Sequence, residues 1–413
     1  MSTVAILHYA GPPYVGGVEI TMAAHARVLA AQGRQARIIA GKGAALAPGI
    51  DLRLLPELGS RGPQLERLAA ELARGVVSAE FHALTERLTT WLADALAGCD
   101  VAMVHNVLSL HKNLAFTAAL RRLHDAGRLP RLLAWCHDFA WLDPLYQPEL
   151  HPGYPWDLLR EPWPGVHYVV VSEDRRGMLA GLLGLDPTRI AVVTPGIDLQ
   201  ALLKLEPETV ALIDQLDLLA AAPLLLLPAR ITRRKNIELG VQIAGALCRQ
   251  GAAVRLVVTG PPGPHNPANA AYLAELLALR RDTGAEEAVI FLYERFTDAS
   301  GQPRPVSDAM LADLFHLADG LLFPSRYEGF GIPVLEAGLS GIPIFCSDIP
   351  PLRATAGEAA SYFASDEPPD LIAGRIVAAL AADQRYALRR RVRTTYTWEA
   401  IFRREIMPLL AGA

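Results

Sequence analysis

Residues 320–341 constrain the fold of this chain more than any other stretch. Gly320-Leu321-Leu322-Phe323 is a short continuous apolar run, the pattern of a strand buried on both faces. A loop with glycines at 329 and 331 follows, and then Pro333, which suits the first turn of a helix because its missing N–H is not needed there. The helix is predicted to run to about Ser340 and to stop at Gly341. Strand, glycine turn and helix N-terminus in that order leave backbone N–H groups free at Gly329, Phe330, Gly331 and Ile332. With the helix dipole they make an anion site suited to phosphate.

Two carboxylates sharpen that reading. Glu328 stands in the loop and Glu336 about one turn into the helix. An ionised Glu only accepts hydrogen bonds, so beside a phosphate cradle it suits sugar hydroxyls, which donate them. An anion cradle with two hydroxyl acceptors fits a nucleoside diphosphate carrying a sugar. The alternative is a solvated loop Glu and a helix Glu satisfied by a neighbour, and the rest of the chain weighs against it.

At 413 residues the chain is long for one domain, and about 150 residues per domain predicts two or three. The net charge of −4 argues against nucleic acid as a partner. Cys99, Cys136, Cys248 and Cys346 lie far apart, without zinc spacing or a disulfide framework, which favours a reduced, cytoplasmic setting. Met1-Ser2-Thr3 leads straight into a strand, so no signal peptide is expected. No apolar run reaches about 18 residues without a charge or a breaker, so no membrane span is expected, although peripheral membrane contact stays open.

The first half opens as a βαβ unit. Val4-Ala5-Ile6-Leu7-His8-Tyr9 reads as a parallel strand, residues 11–19 as a loop, and residues 19–32 as a helix closed by Gly33. Arg37-Ile38-Ile39-Ala40 is the next strand. The glycines at 11, 16 and 17 do not make a dinucleotide fingerprint, and Gly41-Lys42-Gly43 is not a P-loop. The Gly16-Gly17 pair at a strand–helix turn lets backbone approach a ligand closely; a plain tight turn is the alternative. Residues 63–98 read as helix in two pieces broken near Gly75.

Two apolar strands then end in polar residues, one in His105-Asn106 and one in His137-Asp138. Ligands of open α/β sheets sit at the carboxyl ends of strands, so these four residues are candidates for substrate contact. Trp141 and Tyr146 follow closely and offer a sugar an apolar face. Structural histidines are the alternative. Residues 167–172 and 190–194 are further strands, with a hinge expected near residue 200.

The second half repeats the alternation. A strand at 223–228 leads into Arg230 and Lys235, which flank a strand–helix loop. A forked guanidinium and a point-charge ammonium there form a natural clamp for a diphosphate, both expected at a wet cleft edge; a solvated basic face is the alternative. Strands are expected at 254–260, 289–293 and 343–348, a long loop at 261–269, and helices around 310–318 and at 398–410.

Arg230 with Lys235, followed about a hundred residues later by Glu328-x7-Glu336, resembles the glycogen-synthase-like, retaining glycosyltransferases of the GT-B fold, family four. Glu328 to Ala337 is similar to that family's E-G-F-G-x-P-x-x-E-A block at every fixed position. The Gly16-Gly17 loop with Glu19, the Pro195-Gly196-Ile197-Asp198 turn and the strand up to Asp348 look like family features too. The resemblance is strong in the second half and looser in the first. It implies that Arg230 and Lys235 hold the diphosphate, that Glu328 contacts the donor sugar, and that Glu336 binds the ribose hydroxyls. It implies backbone contacts to sugar and phosphate at Phe330, Gly331 and Ile332, and it places His137 near the reacting sugar.

The expected fold class is α/β, with two Rossmann-like domains facing across a cleft. Residues 1–200 would bind the acceptor and 201–393 the nucleotide-sugar. Residues 394–413 would form a helix packing back on the first domain. His137, Glu328, Arg230 and Lys235 are the expected catalytic set. Gly16, Gly17, Gly329, Phe330, Gly331, Ile332 and Glu336 join Arg230, Lys235 and Glu328 in binding the donor. His105, Asn106, Asp138 and Trp141 are the expected acceptor contacts. No metal and no cofactor are expected beyond a UDP- or GDP-sugar co-substrate, because the chain has no D-x-D pair and its cations can neutralise the departing diphosphate. The acceptor is expected to be a small polar molecule or a saccharide. An epimerase, hydrolase or phosphorylase on the same fold, and a non-catalytic nucleotide-sugar-binding subunit, are the alternatives.

Overall fold

The computed structural model describes residues 2–14, 16–263 and 268–411. Residues 264–267 of the loop expected at 261–269 lie outside them. The chain divides into two compact units, Met1–Ile197 with Tyr396–Ala413, and Asp198–Thr395.

The first unit is built on seven parallel strands: β1 (Thr3–His8), β2 (Gln35–Ala40), β3 (Ile50–Leu54), β4 (Val101–His105), β5 (Arg131–Cys136), β6 (His167–Val170) and β7 (Ile190–Val192). Their order is β3-β2-β1-β4-β5-β6-β7. Every residue of β4 is buried, as continuous apolar runs between two helical layers require. One layer is the paired helices Ala79–Ala95 and Leu114–Asp125. On the other face lie helix Gly17–Ala31 and the C-terminal segment, whose Trp398, Ile401, Phe402 and Ile406 pack with Ile6, Met103 and Trp135. Gly196 is required there, because a Cβ would come within 2.8 Å of the Trp398 ring. The C-terminal helix is continuous from 398 to 411 but widens to π geometry at Phe402–Ile406.

The second unit carries six parallel strands: β8 (Leu224–Leu227), β9 (Arg255–Val258), β10 (Val289–Phe291), β11 (Gly320–Phe323), β12 (Ile344–Ser347) and β13 (Ala360–Phe363). Their order is β10-β9-β8-β11-β12-β13. The strand expected at 289–293 ends at Phe291, and Leu292–Arg295 turns into a helix instead. Among the described residues, no helix is long and apolar enough to cross a membrane.

In both sheets the strand order reverses once, at β1/β4 and at β8/β11. Loops leaving adjacent strands in opposite directions open a crevice at such a point, which is where ligands of doubly wound sheets bind. The sequence-predicted site residues fall largely on those loops.

Candidate active site

In the second unit, the loop after β8 and the loop after β11 meet at the switch point. The Arg326 N–H donates to the Arg234 carbonyl at 2.9 Å, and an Arg234 Nη donates to the Tyr327 carbonyl at 3.3 Å. The Arg326 guanidinium reaches back to Asn236 Oδ1 at 3.1 Å and to Glu238 at 2.9 Å. Two segments nearly a hundred residues apart in sequence therefore form one wall.

Glu328 is the centre of that wall, only 7% exposed. Its Oε1 pairs with Lys235 Nζ, and its Oε2 pairs with Arg234 at 3.1 Å. Burial raises its carboxyl, but the hydrogen bond from Lys235 and the charges of Lys235 and Arg234 together outweigh it and hold it below the usual range. Burial pulls the Lys235 ammonium down, and the Glu328 carboxylate opposes that pull. An ionised pair of this kind leaves lone pairs on Glu328 and N–H groups on Lys235 for a ligand.

Lys235 departs from the expected wet edge. It is 8% exposed, with its Nζ 4.8 Å from the centre of the Phe323 ring. The reason is that the turn Arg233–Lys235 directs its cations differently. Arg233 turns out to Glu275 at 2.7 Å, while Arg234 and Lys235 turn in to Glu328. A run of three basic residues does not say which of them turns inward, so the place of Arg234 was not readable. Arg230 is exposed, and among the described residues it forms no ion pair.

The glycine turn behaves as its residues require. Gly331 sits at φ 94°, and a Cβ there would meet Leu352 at 2.5 Å, so only glycine fits. Gly329 has open space around it. Among the described residues, the N–H groups of Gly329, Phe330 and Gly331 donate to nothing. They precede helix Ile332–Leu339, with Pro333 in its first turn. Phe330 and Ile332 leave their side chains exposed, while the Phe330 carbonyl is tied to Thr355 Oγ1 at 2.6 Å. Glu336 is half-buried on that helix, and burial followed by the charge of Asp308 raises its carboxyl.

In the first unit, Gly16 caps helix Gly17–Ala31, and a Cβ on it would run into the Glu19 carboxylate. Gly17 faces open space. His105 and Asn106 leave β4 at the switch point, but both are sealed, at 0% and 2% exposure. That corrects their expected role: neither can touch an acceptor directly. Asn106 instead brackets the end of β5. Its Oδ1 accepts the N–H of His137 at 2.7 Å and of Asp138 at 3.3 Å, and its Nδ2 donates to Asp138 at 3.3 Å. The His105 ring meets the His137 ring, Nδ1 to Nε2, at 3.1 Å.

His137 is partly open, and Asp138 is exposed with Arg175 at 3.8 Å. Trp141 is tied down by its indole N–H to the Trp156 carbonyl at 3.1 Å, and Arg160 lies 4.1 Å over its ring. The face under Arg160 is thus not free to stack on a sugar, a cover that only the fold reveals. His8, His25, His105 and His137 form a cluster, and burial holds all four below the ordinary histidine range, His25 at about 3 and His137 at about 4. Sequence reasoning missed His8 and His25, which lie on a strand and inside a helix with no motif around them. Among the described residues, no three His, Cys, Asp or Glu side chains gather into a metal-binding set.

Comparison with known proteins bears on the second unit first. The family described as "Glycosyl transferases group 1" matches residues 213–395. Glu328, Glu336, Arg230 and Lys235 all lie within the matched residues.

Among curated relatives, a D-inositol 3-phosphate glycosyltransferase of Kineococcus radiotolerans is 31% identical over 189 residues, which is 45% of this chain and 40% of the relative. The chain thus spans less than half the length of that relative. A mannosylglucosylglycerate synthase of Thermotoga maritima is 25% identical over 378 residues, 84% of this chain and 82% of the relative. Among solved structures, a glycosyltransferase from Rickettsia africae aligns over 99% of this chain and 97% of its own, at 14% identity and a TM-score of 0.37. A TM-score so low adds nothing to the topology described above.

Proposed function

We propose that the protein is a retaining glycosyltransferase, moving a hexose from a UDP- or GDP-sugar to an acceptor hydroxyl. The observation that carries this reading is the pairing of Lys235 and Arg234 with Glu328 beside the free N–H groups of Gly329, Phe330 and Gly331. The N–H groups and the helix N-terminus take phosphate oxygens, Glu328 accepts from a sugar hydroxyl, and Glu336 accepts from the ribose. Exposed Arg230 closes on the diphosphate with Lys235.

Early departure of the diphosphate leaves an oxocarbenium-like sugar, with the developing negative charge held by those cations and N–H groups. The acceptor oxygen bonds to the anomeric carbon on the face the diphosphate left, and a phosphate oxygen takes the acceptor's proton. His137 holds a sugar hydroxyl. The product is α-linked from an α-linked donor, and no step uses a metal. Asp138 remains the exposed acceptor candidate. The names of the two curated relatives support a small polar acceptor.

The test is release of UDP or GDP from UDP-glucose and GDP-mannose, with and without a panel of sugars, polyols and hydroxy acids. Release that depends on one of these acceptors is expected. Release at the same rate without any acceptor would replace transfer with hydrolysis.

A further inference from the structure

The histidine cluster of the first unit contains an arrangement that a merely structural group does not need. His105 is fully buried, yet its Nδ1 lies 3.1 Å from His137 Nε2, so one of the two rings must donate and the other accept. His8 does not compete for that bond. Its Nδ1 lies 2.8 Å from the His105 carbonyl, which can only accept, so His8 carries its own proton on Nδ1.

The far side of His105 decides the direction. Its Nε2 is buried and has no hydrogen-bond partner among the described residues. The Trp135 indole N–H and both His25 ring nitrogens are likewise buried and unpartnered. The rings of His25 and Trp135 each lie 5.5 Å from that of His105. A proton on His105 Nε2 would bury one more N–H without an acceptor, and orphaned N–H groups are the rarer and costlier kind. A proton on Nδ1 goes straight to His137.

We propose that His105 is a positioning residue: its Nδ1–H donates to His137 Nε2 and locks His137 in the tautomer that carries its proton on Nδ1. Asn106 fixes the backbone of His137 from the same strand end, at 2.7 Å, so ring and backbone are set by adjacent residues. His137 Nδ1 has no partner among the described residues and is not among the sealed atoms. The ring therefore offers a substrate oxygen an N–H donor, and it cannot act as a general base without breaking its bond to His105. That assignment deepens the proposed function, on which its catalytic meaning rests, but the tautomer can be read without any substrate.

The experiment is long-range proton–nitrogen NMR of the full chain labelled with 15N-histidine, His137 being assigned by its loss in His137→Gln. The Nδ1–H pattern is expected for His137. An Nε2–H pattern in the unaltered protein overturns the proposal. His105→Asn keeps an amide N–H one bond from Cγ, where Nδ1 stood, and should retain both the His137 pattern and kcat to within about threefold. His105→Leu should release the His137 tautomer and lower kcat by about tenfold, the worth of one hydrogen bond. Equal loss of activity in both variants with the His137 signals unchanged would reduce His105 to a packing residue. If the Leu variant does not fold, the unaltered and Asn spectra still decide. Absence of transfer from UDP-glucose and GDP-mannose would sink the functional reading and leave the tautomer result standing.

Discussion

Asn106 Oδ1 accepts the backbone N–H of His137 at 2.7 Å, which fixes the end of β5 from the end of β4. Asn106 itself sits at φ 59°, a left-handed conformation that asparagine tolerates better than most residues. Asn106→Ala removes the bracket and leaves the N–H groups of His137 and Asp138 without their partner. The loss expected is about 1–3 kcal/mol of stability, together with a slower transfer. Urea unfolding with a midpoint unchanged from the parent would show that the bracket carries no weight.

The two expected clamp residues should separate by their surroundings. Arg230 is exposed, so Arg230→Ala should lower donor-dependent rate by about 10- to 150-fold, the equivalent of about 1.5–3 kcal/mol, with the melting temperature unchanged. Lys235 is buried against Glu328, so Lys235→Ala should lower the rate similarly and also destabilise the unit. Thermal melting beside kinetics checks both. Equal melting temperatures for the two variants would contradict the burial argument.

Gly329 and Gly331 make a second contrast. A Cβ on Gly331 meets Leu352 at a backbone angle that disfavours any side chain, so Gly331→Ala should distort the loop and lower stability. Around Gly329 there is open space, so Gly329→Ala should leave melting unaltered and weaken binding of UDP or GDP by crowding the phosphate. Calorimetry on the bare nucleotides is the check. Unchanged nucleotide affinity in Gly329→Ala would remove that backbone from the anion site.

The buried histidines set the acid stability of the first unit. Their carboxyl-range pKa values in the folded chain, about 3 for His25 and about 4 for His137, lie below the ordinary 6.5. Stability is therefore full above about pH 6.5 and is lost as pH falls through that value towards 3–4, at up to about 1.4 kcal/mol per pH unit for each histidine that stays neutral. All six tryptophans lie in this unit, so tryptophan fluorescence reports its unfolding alone. Replacing His25 with Phe keeps a ring in the core and should flatten the loss between pH 6.5 and 4. The same slope in that variant would contradict the assignment.

Much of this was legible in the sequence where the signal is local. The stretch from Gly320 to Gly341 is one apolar run, one glycine turn and one proline-started helix, and each piece depends only on its neighbours. Strands β3 and β13 were not legible because they are short and half-exposed at the sheet edges, so they lack a continuous apolar run. Side-chain direction was not legible either. His105-Asn106 and His137-Asp138 look alike as strand ends, yet the first pair is sealed and the second opens to solvent. Arg234 stood in a basic run, and only the fold of the β11 loop shows that it meets Glu328.

The stereochemistry of transfer decides the mechanism proposed for this site. Proton NMR of the product, formed from an α-linked nucleotide-sugar and the acceptor found by UDP or GDP release, reads the new anomeric centre, which as a glycosidic acetal does not mutarotate. Retention predicts an α-anomeric signal from the first spectrum. An initial β-anomeric signal would contradict same-face attack and the roles given to Glu328, Lys235 and Arg230.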